Sequence, residues 1–243
     1  MARLHGKDCR VYLGGRDASG DLHEISPKFS AQLHDVTTFA SADWIEQQGG
    51  LGEWEVSWSG FYDAADNDYG EQMADNVGSA LVLSVYTGDA DAIGDVGMLF
   101  GEGKLETTEI PIAVADLVRA NGSLKGSGRP GPFGVLLHPH GDETGTGVES
   151  SNDSTLVGGS AYGGIANLHV TAITGTWTIK IQHAPDDATW ADLVTFTQVT
   201  QAGGVTAESK TVTGTVDRYL RVTSTEDVAG TITFVCGFAR YAS

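Results

Sequence analysis

Positive charge is what this sequence lacks most. Its 14 lysines and arginines stand against 32 aspartates and glutamates, a formal net charge of −18. Affinity for nucleic acid comes mainly from Lys and Arg displacing counterions, so the composition argues against a protein that grips phosphates. The acidic excess serves solubility, or else a surface that stands near DNA without sticking to it. Long apolar runs are also missing. Stretches such as Leu81-Val82-Leu83 and Val135-Leu136-Leu137 fall far short of the roughly 20 apolar residues of a membrane helix, so no membrane partner is expected. Met1 to Arg10 carries charges and no apolar core of a signal peptide, which points to folding in a cytoplasm. Cysteine occurs twice, as Cys9 and Cys236, outside any C-x-x-C pattern. Two free thiols are expected, and no thiolate zinc site.

Catalytic and cofactor patterns are absent as well. There is no G-x-S-x-G elbow, no P-loop and no dinucleotide fingerprint, so no enzyme, no catalytic residue and no cofactor is expected. His138-Pro139-His140 is an H-x-H pair without a third ligand pattern nearby. Proline rigidity explains it, and no metal is assigned. The Asp89, Asp91 and Asp95 cluster lacks the glycine and terminal glutamate of a calcium loop.

What is abundant is glycine, 33 of 243 residues, with alternating segments between the turns. Trp54, Val56 and Trp58 alternate with Glu53, Glu55, Ser57 and Ser59, the period of a strand with one apolar and one polar face. Further strands are expected over 10–13, 28–39, 80–86, 98–113 and 117–127. In the second half they are expected over 168–173, 177–183, 194–199, 209–212, 219–224 and 231–238. β-Branched and aromatic residues fill these runs. One short helix is expected over 68–78, with Tyr69, Met73 and Val77 on one stripe and Gly78 as its stop. The polar stretch 141–158 reads as a linker, which divides the chain into 1–140 and a β-rich unit over 159–243. Residues 1–140 hold 9 basic and 21 acidic residues and carry most of the excess charge.

Four stretches of the first part resemble the major tail tube proteins of long-tailed bacteriophages. They are Gly6 to Gly20, with Asp17-Ala18-Ser19-Gly20 after a first hairpin; Leu33 to Phe39, ending Asp35-Val36-Thr37-Thr38-Phe39; Gly52 to Asp63, ending Ser59-Gly60-Phe61-Tyr62-Asp63; and Asp116 to Gly128. Their order and spacing carry the resemblance over 1–140. It implies an all-β fold with one short helix, a tail-tube β-sandwich or barrel related to the type VI secretion tube subunit. It also implies homo-oligomeric rings, commonly hexameric, stacked into a virion tail tube that passes the genome into the host. The implied partners are the chain itself, other tail proteins such as tape measure, terminator and distal tail proteins, and DNA passing without specific binding. The implied location is the virion tail, assembled in the host cytoplasm. Asp43, Trp44, Ile45 and Glu46 match the family's loop to a neighbouring subunit or ring. Glu53, Glu55, Ser57 and Ser59 become candidates for the lumen wall.

The second part resembles jelly-roll domains of the galactose-binding and discoidin-like type, through 177–183, 186–193 and Arg218-Tyr219-Leu220-Arg221-Val222. It implies a second β-sandwich facing outward as decoration, with Trp190 and His183 as candidate glycan contacts. Ala184-Pro185 and Asp187-Ala188 depart from that pattern. Two rival readings follow from it: a carbohydrate-binding or adhesion module of a virion, or a second tube-like domain that lets a trimer imitate a hexamer.

Overall fold

A computed structural model of the chain describes residues 6–39, 41, 44–62, 73–88, 90–112, 116–153 and 158–242. The chain is all-β, as expected, in two antiparallel sheets. The strands are β1 (Arg10–Leu13), β2 (Arg16–Asp17), β3 (Leu22–Asp35), β4 (Gln47–Phe61), β5 (Ala80–Tyr86), β6 (Val96–Glu109), β7 (Arg119–Thr144) and β8 (Gly147–Val148). They continue as β9 (Asn152–Asp153), β10 (Gly164–Ile173), β11 (Thr176–Ala184), β12 (Ala191–Thr195), β13 (Val199–Thr200), β14 (Thr206–Val212), β15 (Tyr219–Val228) and β16 (Thr231–Arg240). Of the expected helix, 68–72 lies outside the described residues, and Met73 to Asp75 is helical with Met73 buried. Gly78 follows at a φ of 84°, the left-handed stop a glycine provides.

Two compact units divide the chain, one of residues 1–21, 80–103 and 130–243, the other of 22–79 and 104–129. In the larger unit, β10, β16 and β7 of one sheet face β11 and β15 of the other across a single apolar core. Trp177, Ile179 and Ile181 of β11 meet Leu168 and Val170 of β10 and Phe234 and Cys236 of β16 there. This is a β-sandwich, built by inward-facing residues of both sheets. The opposite face of β10 and β16 is covered too, by Tyr12, Tyr86 and Phe100 against Ile165, Val235 and Ala239. Covering both faces explains the unbroken buried run from Gly164 to Val170, where alternation disappears. Residues 141–158, expected as linker on composition, carry β8 and β9, and both pair with β15. Cys9 and Cys236 are free thiols, and burial pushes the Cys236 thiol pKa far up.

A polar cluster sits on that second covered face. The Asn167 side-chain amide donates to Leu83 O (2.9 Å) and Ser84 Oγ (3.1 Å), and accepts from Ser209 Oγ (2.7 Å). The Gly15 amide donates to His169 Nδ1 at 3.3 Å, which leaves the ring proton on Nε2, 2.9 Å from Ser84 Oγ. His169 is fully buried and burial holds its pKa at about 3, so the ring is neutral.

The smaller unit is built on β3, β4 and the first part of β7. Glu55 of β4 is paired with Lys28 on one side and Lys125 on the other, and Ser57 with Ser26 and Ser123. Trp54, Val56 and Trp58 point to the buried side. Each indole lies over a glycine of β7: Trp58 over its register partner Gly122, and Trp54 over Gly126. A methyl at Gly126 would fall inside the Trp54 ring, which is pinned by its Nε1–H bond to Gly128 O at 3.0 Å. Gly126→Ala is expected to destabilise the chain by about 1–3 kcal/mol through overpacking, read as a lower denaturant midpoint at unchanged slope.

Candidate functional site

The β3–β4 hairpin of the smaller unit holds most of the residues singled out from sequence. Glu53, Glu55, Ser57 and Ser59 share one face of β4, opposite Trp54, Val56 and Trp58, and none of the four is buried. Register places Glu24, Ser26, Lys28 and Ser30 of β3 beside them, and Asn121, Ser123 and Lys125 of β7 on the other side. The face is polar throughout. Lys28 Nζ lies 2.7 Å from Glu55 Oε1, and Lys125 Nζ 2.8 Å from Glu106 Oε1. The hydrogen bond from Lys28 holds the Glu55 pKa down, with its charge adding to the effect. Gln32 Nε2 donates to Glu53 Oε1 at 3.0 Å, and Ser59 Oγ to Asn121 Oδ1 at 2.5 Å. The glutamates of this face are interleaved with two lysines, Lys28 and Lys125, each of which is engaged by a carboxylate.

Along the hairpin, support from the core ends near Trp54. From Lys28 to Asp35 on β3 and from Gln47 to Glu53 on β4 every residue is exposed. Apolar side chains nevertheless persist there: Phe29, Leu33 and Leu51 are exposed, and so are Phe39, Trp44 and Ile45 at the tip. Trp44 is 82% exposed and Ile45 72%. The tip is nonetheless organised. Val36 N donates to Glu46 O (2.9 Å), Glu46 N to Thr37 Oγ1 (2.9 Å) and Thr38 N to Ser41 Oγ (3.0 Å). Asp35 Oδ1 accepts from Thr37 N at 2.9 Å, and hydrogen bonds from Thr37 lower its pKa. Of the expected loop residues, Trp44, Ile45 and Glu46 are exposed and Asp43 lies outside the described residues.

β3 is also an edge. Its 14 residues pair with β4 alone among the described strands, so one row of backbone N–H and C=O groups faces outward. Pro27, which has no N–H to give, is tolerated at such an edge. A second apolar patch belongs to the same unit and was not singled out from sequence. Phe61, Tyr62, Ile110, Ile112, Leu117 and Val118 line a groove of about 550 Å³. These residues come from strand ends and connections, where alternation gives no signal.

In the larger unit, Trp190 precedes β12, and the Arg221 guanidinium lies over its ring at 4.1 Å. Arg221 is held by two bonds to Gln182 Oε1, at 3.0 and 2.8 Å. One face of the indole is thus occupied by a cation. His183, on β11, accepts from Asp217 N at 3.1 Å and lies 3.0 Å from Asp217 Oδ2. Trp177 is buried in the sandwich core, its Nε1–H donated to Thr174 O at 3.0 Å. Asp95 caps its own turn by accepting from Ala92 N at 3.0 Å, and Asp89 lies outside the described residues.

No protein-family model and no curated protein matches the sequence. Among solved structures, the chain is similar to one from the virion of a native gene transfer agent particle, at 20% identity and a TM-score of 0.45, over 54% of this chain and 98% of the other. It is similar to the SPP1 tail tube at 14% identity and a TM-score of 0.40, over 52% of this chain and 77% of the other. The SPP1 Dit protein, described as a hub adsorption apparatus, matches at 12% identity and a TM-score of 0.33, over 96% and 99%.

Proposed function

We propose that this chain is a structural subunit that assembles with copies of itself into rings, and that the rings stack into the tail tube of a phage-like virion. The observation that carries the reading is the β3–β4 hairpin, whose outer half exposes a free strand edge and a row of apolar side chains with no core of its own. Ordering such an arm costs backbone entropy that its own contacts do not offset. Pairing its edge with a neighbouring copy removes the edge and buries the apolar residues. A head-to-tail contact of this kind closes into a ring or runs on as a filament.

In that assembly the polar face of Glu53, Glu55, Ser57 and Ser59 lines the lumen, and Trp44, Ile45 and Glu46 reach a neighbouring subunit or ring. Lys28 and Lys125 are engaged by glutamates on this face, so DNA passing along it finds few free cations to hold it. The chain acts mechanically, as a conduit, and performs no catalysis. Tape measure, terminator and distal tail proteins are its further partners in the virion, after assembly in the host cytoplasm.

Electron microscopy of the purified protein over a range of concentration and salt tests this, with sedimentation alongside. Rings or tubes are expected. A monomeric mass throughout, with neither rings nor tubes, overturns the reading.

A further inference from the structure

The His138-Pro139-His140 pair does not stay together. β7 has one residue more than β16 between the pairs His138 with Cys236 and Gly141 with Phe234, a bulge at the proline, which cannot donate to the ladder. The bulge turns the two rings to different neighbours. His140 bonds Thr171 Oγ1 at 2.9 Å and lies 5.7 Å from the Tyr12 ring. His138 is instead 3% exposed, stacked on Phe234 at 3.8 Å between ring centroids, with Nε2 turned toward two carboxylates.

Those carboxylates come from different sheets. Glu143 follows on β7, whereas Glu149 comes directly after β8 and is tied to the second sheet by its N–H bond to Val222 O at 2.9 Å. His138 Nε2 lies 3.2 Å from Glu143 Oε1 and 3.5 Å from Glu149 Oε1, and the three ligand atoms lie within 4.8 Å of one another. Tetrahedral ligands about 2.0–2.2 Å from a zinc ion stand roughly 3.3–3.6 Å apart. No lysine or arginine joins the two glutamates among the described residues, and both are largely withdrawn from solvent. Without an ion, the carboxylate of Glu143 accepts from His138 Nε2–H, whereas a cation bound at Nε2 takes that proton's place and leaves the ring N–H on Nδ1, which is buried without a hydrogen-bond partner.

We infer that His138, Glu143 and Glu149 form a binding site for a divalent transition cation of the zinc class. One imidazole and two carboxylates suit zinc, manganese or cobalt, and are poorly matched to magnesium, which takes an octahedron of oxygens. The ion neutralises two glutamates that repel each other and joins β7 of one sheet to the end of β8 in the other. It staples the sandwich across its two layers.

Cobalt titration of the purified chain reads the site directly, because a four- or five-coordinate ion gives strong visible d–d bands where the octahedral hydrated ion absorbs only weakly. Bands that saturate at one ion per chain, are displaced by zinc and accompany a rise in melting temperature are expected. Glu143→Gln and Glu149→Gln should each lose the bands. Their metal-free melting temperatures should equal or exceed the parent's, because a like-charge contact is gone. Absence of bands in the parent chain overturns the inference. So does their persistence in the double glutamine variant, which would locate binding elsewhere.

Discussion

Trp44→Asp combined with Ile45→Asp is expected to abolish tube formation while leaving the subunit folded. Both side chains are mostly exposed in the subunit, and surface substitutions of this kind change folding stability by about 0.5 kcal/mol or less. In the assembly the balance reverses. A tryptophan buried at a contact contributes on the order of 2–4 kcal/mol, or roughly 30- to 1,000-fold in the contact's dissociation constant at about 1.4 kcal/mol per tenfold. A carboxylate in its place adds a desolvation cost. Every subunit of a tube repeats the defect, so the concentration needed for polymerisation should rise by at least that factor. Pelleting assays and microscopy measure it, and an unchanged circular dichroism melt confirms the fold. Normal tubes from the double variant would remove the hairpin tip from the interface.

Acid should unfold the chain through His169 in a window that can be named. The folded pKa of about 3 lies below the ordinary value of 6.5, so below pH 6.5 the unfolded chain binds a proton that the folded one refuses. Stability from this group is therefore complete above pH 6.5. It falls with pH by roughly 1.4 kcal/mol per unit down to about pH 3. His169→Gln keeps a side chain able to donate to Ser84 Oγ and to accept from the Gly15 amide, but has nothing to titrate. Urea unfolding at a series of pH values should show a smaller loss for the variant over this window. The titrating carboxylates are common to both proteins and cancel in the comparison. Identical slopes would mean that His169 is not held neutral by burial.

Where one face of a strand meets a core and the other meets solvent, the sequence could be read directly. Trp54, Val56 and Trp58 against Glu53, Glu55, Ser57 and Ser59 gave β4 its faces; β5, buried from Val82 to Tyr86, was legible instead as a short apolar, β-branched run from Ala80 to Tyr86. The buried run of β10 was legible only from Leu168 onward, because strands covered on both faces lose the alternation that marks them. β7 was harder. Pro130, Pro132, Gly131 and Gly134 look like a break, yet the strand continues through them from Arg119 to Thr144. It does so with Gly128 at a φ of 81° and Phe133 at 56°, irregularities that relieve the ladder where the prolines have no N–H.

The hairpin could be anticipated as two strands and a loop, but its lack of support could not. Exposure of Phe29, Leu33 and Leu51 depends on which other strands stop short of them, a property of topology and not of local pattern. The His138 cluster shows the same limit. Residues 138, 143 and 149 have no motif spacing in common. They meet because a bulge turns one ring and a short strand in the opposite sheet returns the last glutamate. The polar stretch around 147–153 has few core formers, and its pairing with β15 rests on backbone bonds that composition does not record.

The five tryptophans of this chain also form an optical set. Trp54, Trp58 and Trp177 are buried, Trp190 is half covered by a guanidinium, and Trp44 alone stands almost fully in water. Its emission therefore supplies the red edge of the intrinsic fluorescence, separated from the others by environment alone. The hairpin tip thus carries its own label, and the timing of its passage from water into a contact can be followed without attaching anything to the protein.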